Sequence, residues 1–312
     1  MTRIIFLLIA VLLVISGCGQ AEEESNGRLN VYTTVFPFKS FVEQIGGDHV
    51  QVQSIYPNGT DIHTYEPTQK DTLKIAKGDL FVYSSDELDP VAGKIASVVK
   101  DDQKLLAVAE DINDSQLLDH HHDSGEAHDH EHDHDHESSL DPHVWLDPVF
   151  NESFAEQIKD ELIAKDPEHK KDYNENYRQL VKDIKAIDQQ LRDITAQPKR
   201  DTVYISHESL GYLADRYHFK EVGVSGMNNN EPSQSEIVGM INDINDSNTP
   251  YIIYEQNVSS KITDIIAEDT NVESLKFHNM AVLTDEDKSA TYQSMMKQNI
   301  ETLDKALNDK ED

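Results

Sequence analysis

The feature that most constrains the fold is one apolar stripe in the middle of the chain. Tyr173, Tyr177, Leu180, Ile184, Ile187, Leu191 and Ile194 recur at spacings of four and three, the period that puts side chains on one face of an α-helix. The stripe needs a helix of roughly 28 residues, about 42 Å long at 1.5 Å per residue. Asp166-Pro167 precedes it, with the proline at a first-turn position where its missing N–H costs nothing, and Pro198 ends it. A plain bundle or coiled-coil helix carries the same stripe. The sequence on either side argues instead for a rigid element joining two lobes.

Before the stripe, Leu29 to Val35, Val50 to Tyr56, Leu80 to Ser84 and Lys104 to Val108 read as strands rich in Val, Ile, Leu and Tyr. Phe38 to Ile45, Gln69 to Ala76 and Glu87 to Val99 have helical spacing between them, and helical sequence resumes at about Val149. After the stripe the alternation returns. Thr202 to Ser206, Phe219 to Val224 and Tyr251 to Glu255 read as strands; Leu210 to Tyr217, Glu236 to Asn245, Ser259 to Glu268 and Asp287 to Leu307 read as helices. Thr284-Asp285-Glu286-Asp287 offers an N-cap for the last helix. Strand–helix–strand repetition predicts mostly parallel sheets flanked by helices. The predicted fold is therefore α/β: two similar lobes joined by one long helix, without an internal sequence repeat.

Two segments stand apart. Ile4 to Ile15 is an unbroken apolar run behind Arg3, too short for the roughly 20 residues that span a bilayer as a helix. A short basic start, a short apolar core and small residues read as a secretory signal. Ile15-Ser16-Gly17-Cys18 resembles the bacterial lipobox, which implies lipidation of Cys18. As the sole cysteine, Cys18 also leaves the rest of the chain without an internal disulfide. Asp119 to Glu137 holds eight His and eight Asp or Glu with almost nothing apolar, so residues 119–139 read as a mobile loop that cannot fold on hydrophobic burial. The expected division is 1–17 signal peptide, 18–28 lipidated tether, 29–165 first lobe, 166–198 linking helix and 199–312 second lobe. The net charge of -32 repels nucleic acid and anionic membrane surfaces and attracts cations.

Seven histidines lie outside the acidic loop, and three have unusual settings. His63 sits in a turn-rich segment after a strand, in Asn58-Gly59-Thr60-Asp61-Ile62-His63-Thr64-Tyr65-Glu66-Pro67. His143 lies between two prolines in Asp141-Pro142-His143-Val144-Trp145-Leu146-Asp147-Pro148. His207 directly follows a strand. Open α/β sheets bind ligands beyond the carboxyl ends of their strands, and three neutral imidazoles leave a fourth tetrahedral position on Zn²⁺. Spacings of 80 and 64 residues are no compact metal motif, so the residues alone reach only a three-histidine site between two lobes.

These three segments, with Ser206-His207-Glu208-Ser209-Leu210-Gly211-Tyr212, Glu231-Pro232-Ser233 and Glu255-Gln256-Asn257-Val258-Ser259-Ser260-Lys261, resemble the zinc- and manganese-binding lipoproteins that serve ABC importers as solute-binding proteins. The resemblance runs from residue 29 to about 308. It implies a cleft between two lobes, His63, His143 and His207 as ligands, and a lipid-anchored receptor outside the cell membrane that delivers its ion to an importer permease. A histidine at the third position points to Zn²⁺ as the transported ion, since manganese prefers oxygen ligands. The family's acidic fourth position aligns at or near Ala281, which cannot ligate; water, His278, Glu255 or a loop histidine are the alternatives, with water preferred. His120, His121, His122, His128, His130, His132, His134 and His136 form an accessory set of weak zinc ligands. A metalloenzyme, a manganese-binding homologue and a surface buffer or adhesin are the competing readings. No phosphate-cradling Gly-rich motif is present, and the expectation is a monomer without catalytic activity.

Overall fold

The computed structural model describes residues 27–99, 101–119, 140–258, 260–287 and 289–309. The expected signal, Cys18 and the eight loop histidines lie outside the described residues.

The first half is a four-stranded parallel sheet of β1 (Leu29–Thr33), β2 (Val50–Ser54), β3 (Leu80–Tyr83) and β4 (Leu105–Ala107), ordered β2-β1-β3-β4. The helices between them are α1 (Phe36–Gly46), α2 (Gln69–Lys77) and α3 (Pro90–Val99). All four residues of β3 are buried, because successive side chains serve opposite faces. Leu80 and Val82 join Phe38, Phe41 and Ile45 of α1 in the main core. Phe81 and Tyr83 join Ile75 of α2 and Ile95 of α3 in a second cluster on the other face.

The second half repeats the plan. Strands β5 (Thr202–His207), β6 (Lys220–Ser225), β7 (Tyr251–Glu255) and β8 (Glu273–Phe277) form a parallel sheet ordered β6-β5-β7-β8. Its helices are α6 (Gly211–Tyr217), α7 (Gln234–Ser247) and α8 (Lys261–Thr270), and α9 (Tyr292–Asn308) closes the chain. Val203 and Ile205 face the main core, whereas Tyr204 packs with Ile244 of α7 and Ile266 of α8.

Helix α4 (Pro148–Lys165) and helix α5 (Lys170–Thr195) stand between the sheets, separated by a 3₁₀ turn at Pro167–His169. The expected unbroken 166–198 helix is thus a turn followed by 26 helical residues, because Asp166 caps back onto α4 through its N–H to Leu162. The stripe does what its period requires: Tyr173, Leu180, Ile184, Ile187 and Leu191 are buried. They belong to the same core as α1, α4 and Met295, Met296 and Leu303 of α9, so α5 is packed on several elements rather than standing free as a strut.

One element was not signalled by the sequence and one expectation fails. Residues 273–277 form edge strand β8, in which Glu273, Ser274 and Lys276 are exposed and only Phe277 is buried, so it lacks an apolar run. The last helix is capped not at 284–287 but at Thr291, whose hydroxyl and that of Ser294 form reciprocal cap bonds. Thr284 instead closes a turn on Asp287, donating from its backbone N–H at 3.2 Å.

Candidate metal site

Three segments distant in sequence converge between the two sheets. His63 lies in the long loop from β2 to α2, His143 immediately before the 3₁₀ turn Val144–Leu146, and His207 is the last residue of β5. One nitrogen of each imidazole lies within 4.8 Å of the other two, and the ring centroids are 5.1, 5.3 and 5.7 Å apart. His143 and His207 are 1% and 0% exposed, so neither is held there by solvation; His63 is part-buried. Three nitrogens at roughly 2.0–2.1 Å from one Zn²⁺ would be about 3.4 Å apart, so the cluster fits the ion after a small contraction.

The same local device presents two of the ligands. Asp61 Oδ1 accepts from the backbone N–H of His63 at 3.0 Å, and Asp141 Oδ1 from that of His143 at 2.9 Å, the turn that an Asp favours two residues ahead of its partner. Asp141 also accepts from His143 Nδ1 at 2.7 Å, which leaves Nε2 as the coordinating atom. His207 Nδ1 is likewise held by Glu255 Oε2 at 2.8 Å, and Ser209 Oγ donates to the other carboxylate oxygen. These carboxylate–imidazole pairs fix the tautomer and raise the basicity of a ligating histidine. Gly223 on β6 makes room for the chain leaving β5, since a Cβ there would sit 2.7 Å from Glu208.

Among the described residues, no side chain joins the three histidines as a fourth ligand. Glu255, a sequence candidate for it, sits behind His207 and is engaged there. His278 is turned elsewhere: its Nδ1 accepts from Met280 N–H at 2.9 Å, and its Nε2, which makes no hydrogen bond, faces Asp287 at 3.5 Å. Ala281 is buried in the segment 278–283, which Trp145 pins by donating from Nε1 to the Asn279 carbonyl at 2.7 Å. A backbone carbonyl that no sequence pattern reveals, Met227 O, lies 2.8 Å from His207 Nε2. Among the described residues no other group of three potential ligands is assembled; His49 and His169 stack on each other at 3.6 Å away from it.

Electrostatics split the cluster. Burial lowers His63 to about 3, helped by the two neighbouring imidazoles. Burial also acts to lower His207, but the Glu255 carboxylate and the Met227 carbonyl outweigh it and raise the group to about 9. Metal-free His207 therefore carries a proton on each ring nitrogen, Nδ1–H donating to Glu255 and Nε2–H to the Met227 carbonyl. A metal must displace the Nε2 proton, so affinity should fall about tenfold per pH unit as pH drops below about 9. Calorimetry near pH 7 in buffers of different ionisation enthalpy should show about one proton released from His207 per zinc bound; a pH-independent affinity between 5 and 8 would contradict this. Replacing Glu255 by Gln should lower zinc affinity about 10–100-fold and shrink that proton release, both readable by chelator competition and calorimetry.

The chain matches the family described as ZnuA, the periplasmic component A of a zinc-uptake complex, over residues 31–306. It is 30% identical over 313 residues to the high-affinity zinc uptake system protein ZnuA of Bacillus subtilis (strain 168), covering 97% of each. It is 29% identical over 285 residues to the zinc-binding lipoprotein AdcA of Streptococcus pneumoniae, covering 90% of this chain but 56% of that protein, so it spans about half the length of that relative. The Zn(II)-bound ZnuA-like domain of the same AdcA superposes with a TM-score of 0.74 at 25% identity, over 91% of this chain and 100% of that domain.

Proposed function

The chain belongs to the ZnuA family of zinc-uptake components, and on that premise we propose that it is the receptor of a zinc importer of the ABC type, capturing Zn²⁺ at His63, His143 and His207. The convergence of three imidazole nitrogens within 4.8 Å, from segments 80 and 64 residues apart, carries this reading. Two of the three are backed by buried carboxylates, which is the arrangement of a site built for a cation. We assign the fourth position to water in preference to a histidine of the 119–139 segment, since Ala281 cannot ligate, Glu255 is engaged with His207 and Ser209, and His278 is turned toward Asp287. Nitrogen ligands favour zinc over manganese.

In this reading residues 29–165 and 199–312 act as the two lobes, with 166–198 joining them, and the ion is transported cargo rather than a catalytic cofactor. No helix among the described residues is long and apolar enough to cross a membrane; we assign attachment to a lipid on Cys18, with the protein monomeric on the outer face of the cell membrane beside its permease. An antiparallel bridge between Asp119 and Leu140 brackets the histidine–acid segment and delivers its end to Asp141 and His143. That segment would then gather zinc weakly through residues such as His128, His130 and His132 and pass it inward.

Uptake of radiolabelled zinc by cells that depend on this chain tests the proposal. Uptake should be lost when all three histidines are replaced by alanine, and uptake that persists in that variant contradicts it. Deleting 119–139 should slow uptake at limiting zinc; unchanged growth and unchanged zinc stoichiometry would remove the accessory role alone.

A further inference from the structure

The loop from β6 to α7 reaches across the cleft. Its near end is fixed by β6, and its far end by the capping box of Ser233 and Glu236 at the start of α7. Between them the chain turns tightly: Asn229 N–H donates to Gly226 O at 2.8 Å and Gly226 N–H to Asn230 O at 3.0 Å. Asn229 adopts φ 59°, a left-handed conformation that asparagine tolerates better than most residues.

This turn sets two contacts. Met227, buried on its inner side, places its carbonyl 2.8 Å from His207 Nε2, at the face where a metal would bind. Asn229 Nδ2 donates to Asp61 Oδ2 at 3.0 Å, across 168 residues of sequence. Asp61 Oδ1 is at the same time the acceptor for the His63 backbone. One carboxylate thus holds the loop bearing one ligand and the loop that covers another. A cavity of about 90 Å³ adjoins Asn229, bordered by Ser225, Glu231 and Lys261, so the turn has unpacked space beside it.

We infer that Asp61 and Asn229 are positioning residues that latch the 226–231 turn over the site and set the rate at which bound zinc leaves. The inference rests on the zinc site proposed above. Zinc reaching His207 Nε2 has to displace the Met227 carbonyl, so the peptide there turns aside as the ion enters. The Asn229–Asp61 bond keeps the rest of the turn closed over the exit. A hydrogen bond to a charged group is strong enough for its loss to change a rate by about tenfold or more.

The test uses the full chain loaded with zinc, with the ion captured by excess chelator in a stopped-flow instrument. Asn229→Ala removes the donor, and Asn229→Asp sets two carboxylates against each other. Both should speed zinc release about tenfold or more while the visible spectrum of the cobalt-loaded protein, which reports the ligand set, stays that of the parent. Asp61→Asn alone should also speed release. Combining Asp61→Asn with Asn229→Asp rebuilds the bond with its polarity reversed, because the new amide can donate to the new carboxylate while its carbonyl still accepts from His63 N–H; release should return to within about threefold of the parent rate. Single variants that release zinc within twofold of the parent, or an exchange variant no slower than the singles, would overturn the latch. A parent protein that binds no zinc at the three histidines would overturn the site as well, which separates the two failures.

Discussion

His63→Ala should lower zinc affinity by about a hundredfold to a thousandfold. Structural zinc sites of four ligands are worth roughly 10–16 kcal/mol, or about 2.5–4 kcal/mol per ligand, and each 1.4 kcal/mol is tenfold in a binding constant. His63 is the cleanest of the three to remove. Its ring is part-buried and makes no hydrogen bond among the described residues, so its loss strands no partner. His143→Ala and His207→Ala also leave Asp141 and Glu255 buried without their imidazoles, and should therefore lower stability too. Chelator competition together with thermal unfolding separates the cases. A His63→Ala protein that keeps its zinc affinity within threefold would exclude that residue as a ligand.

Trp145→Ala should destabilise the protein by about 3–5 kcal/mol, the usual cost of truncating a buried large aromatic side chain. Trp145 is 2% exposed, its ring meets that of His143 edge-on at 5.2 Å between centroids, and its Nε1–H satisfies the Asn279 carbonyl. The substitution opens a cavity and orphans that carbonyl in one step. Because Asn279 follows the second sheet and Trp145 precedes α4, the loss falls on the junction between the halves, and zinc affinity should drop with stability. Urea unfolding followed by far-ultraviolet circular dichroism measures it; a loss below 1 kcal/mol would mean that the junction is held by other contacts. As the sole tryptophan, Trp145 also makes the parent's fluorescence a direct reporter of zinc arriving at His143.

The stripe from Tyr173 to Ile194 follows from its helical burial period, whereas the strands at 29, 50, 80, 202 and 251 follow from short runs rich in Val, Ile, Leu and Tyr, since β3 and β5 are buried without alternation. Edge strand β8 was missed because Lys276 and Glu273 face solvent, and its one deeply buried residue, Phe277, gives no run. The cap signature at 284–287 was real chemistry in the wrong place: the same Thr–Asp side-chain bonding that caps a helix also closes an isolated turn.

The site shows the same division. Its three histidines could be named from motif and position, and the Asp-x-His pattern at 61–63 and 141–143 was present in the sequence as the signal for how two of them are presented. Glu255 was visible as an acidic residue at the end of a strand, in a segment matching the family, and was a candidate for the fourth corner. Its place on the Nδ1 side of His207, rather than at the fourth corner, depends on β5 and β7 being neighbours in the sheet. Met227 could not have been found, since a backbone carbonyl has no residue-type signature. The Asp61–Asn229 bond joins loops that only the tertiary fold brings together.

Zinc and manganese titrations by calorimetry, with metal analysis, on residues 26–312 with and without 119–139 test the three-histidine site most directly. One tight zinc site per chain should remain when the histidine–acid segment is deleted, manganese should bind far more weakly, and His63→Ala, His143→Ala and His207→Ala should each abolish tight binding. Tight manganese binding, or zinc binding that disappears only with the deleted segment, would contradict the assignment of the ion or of the site.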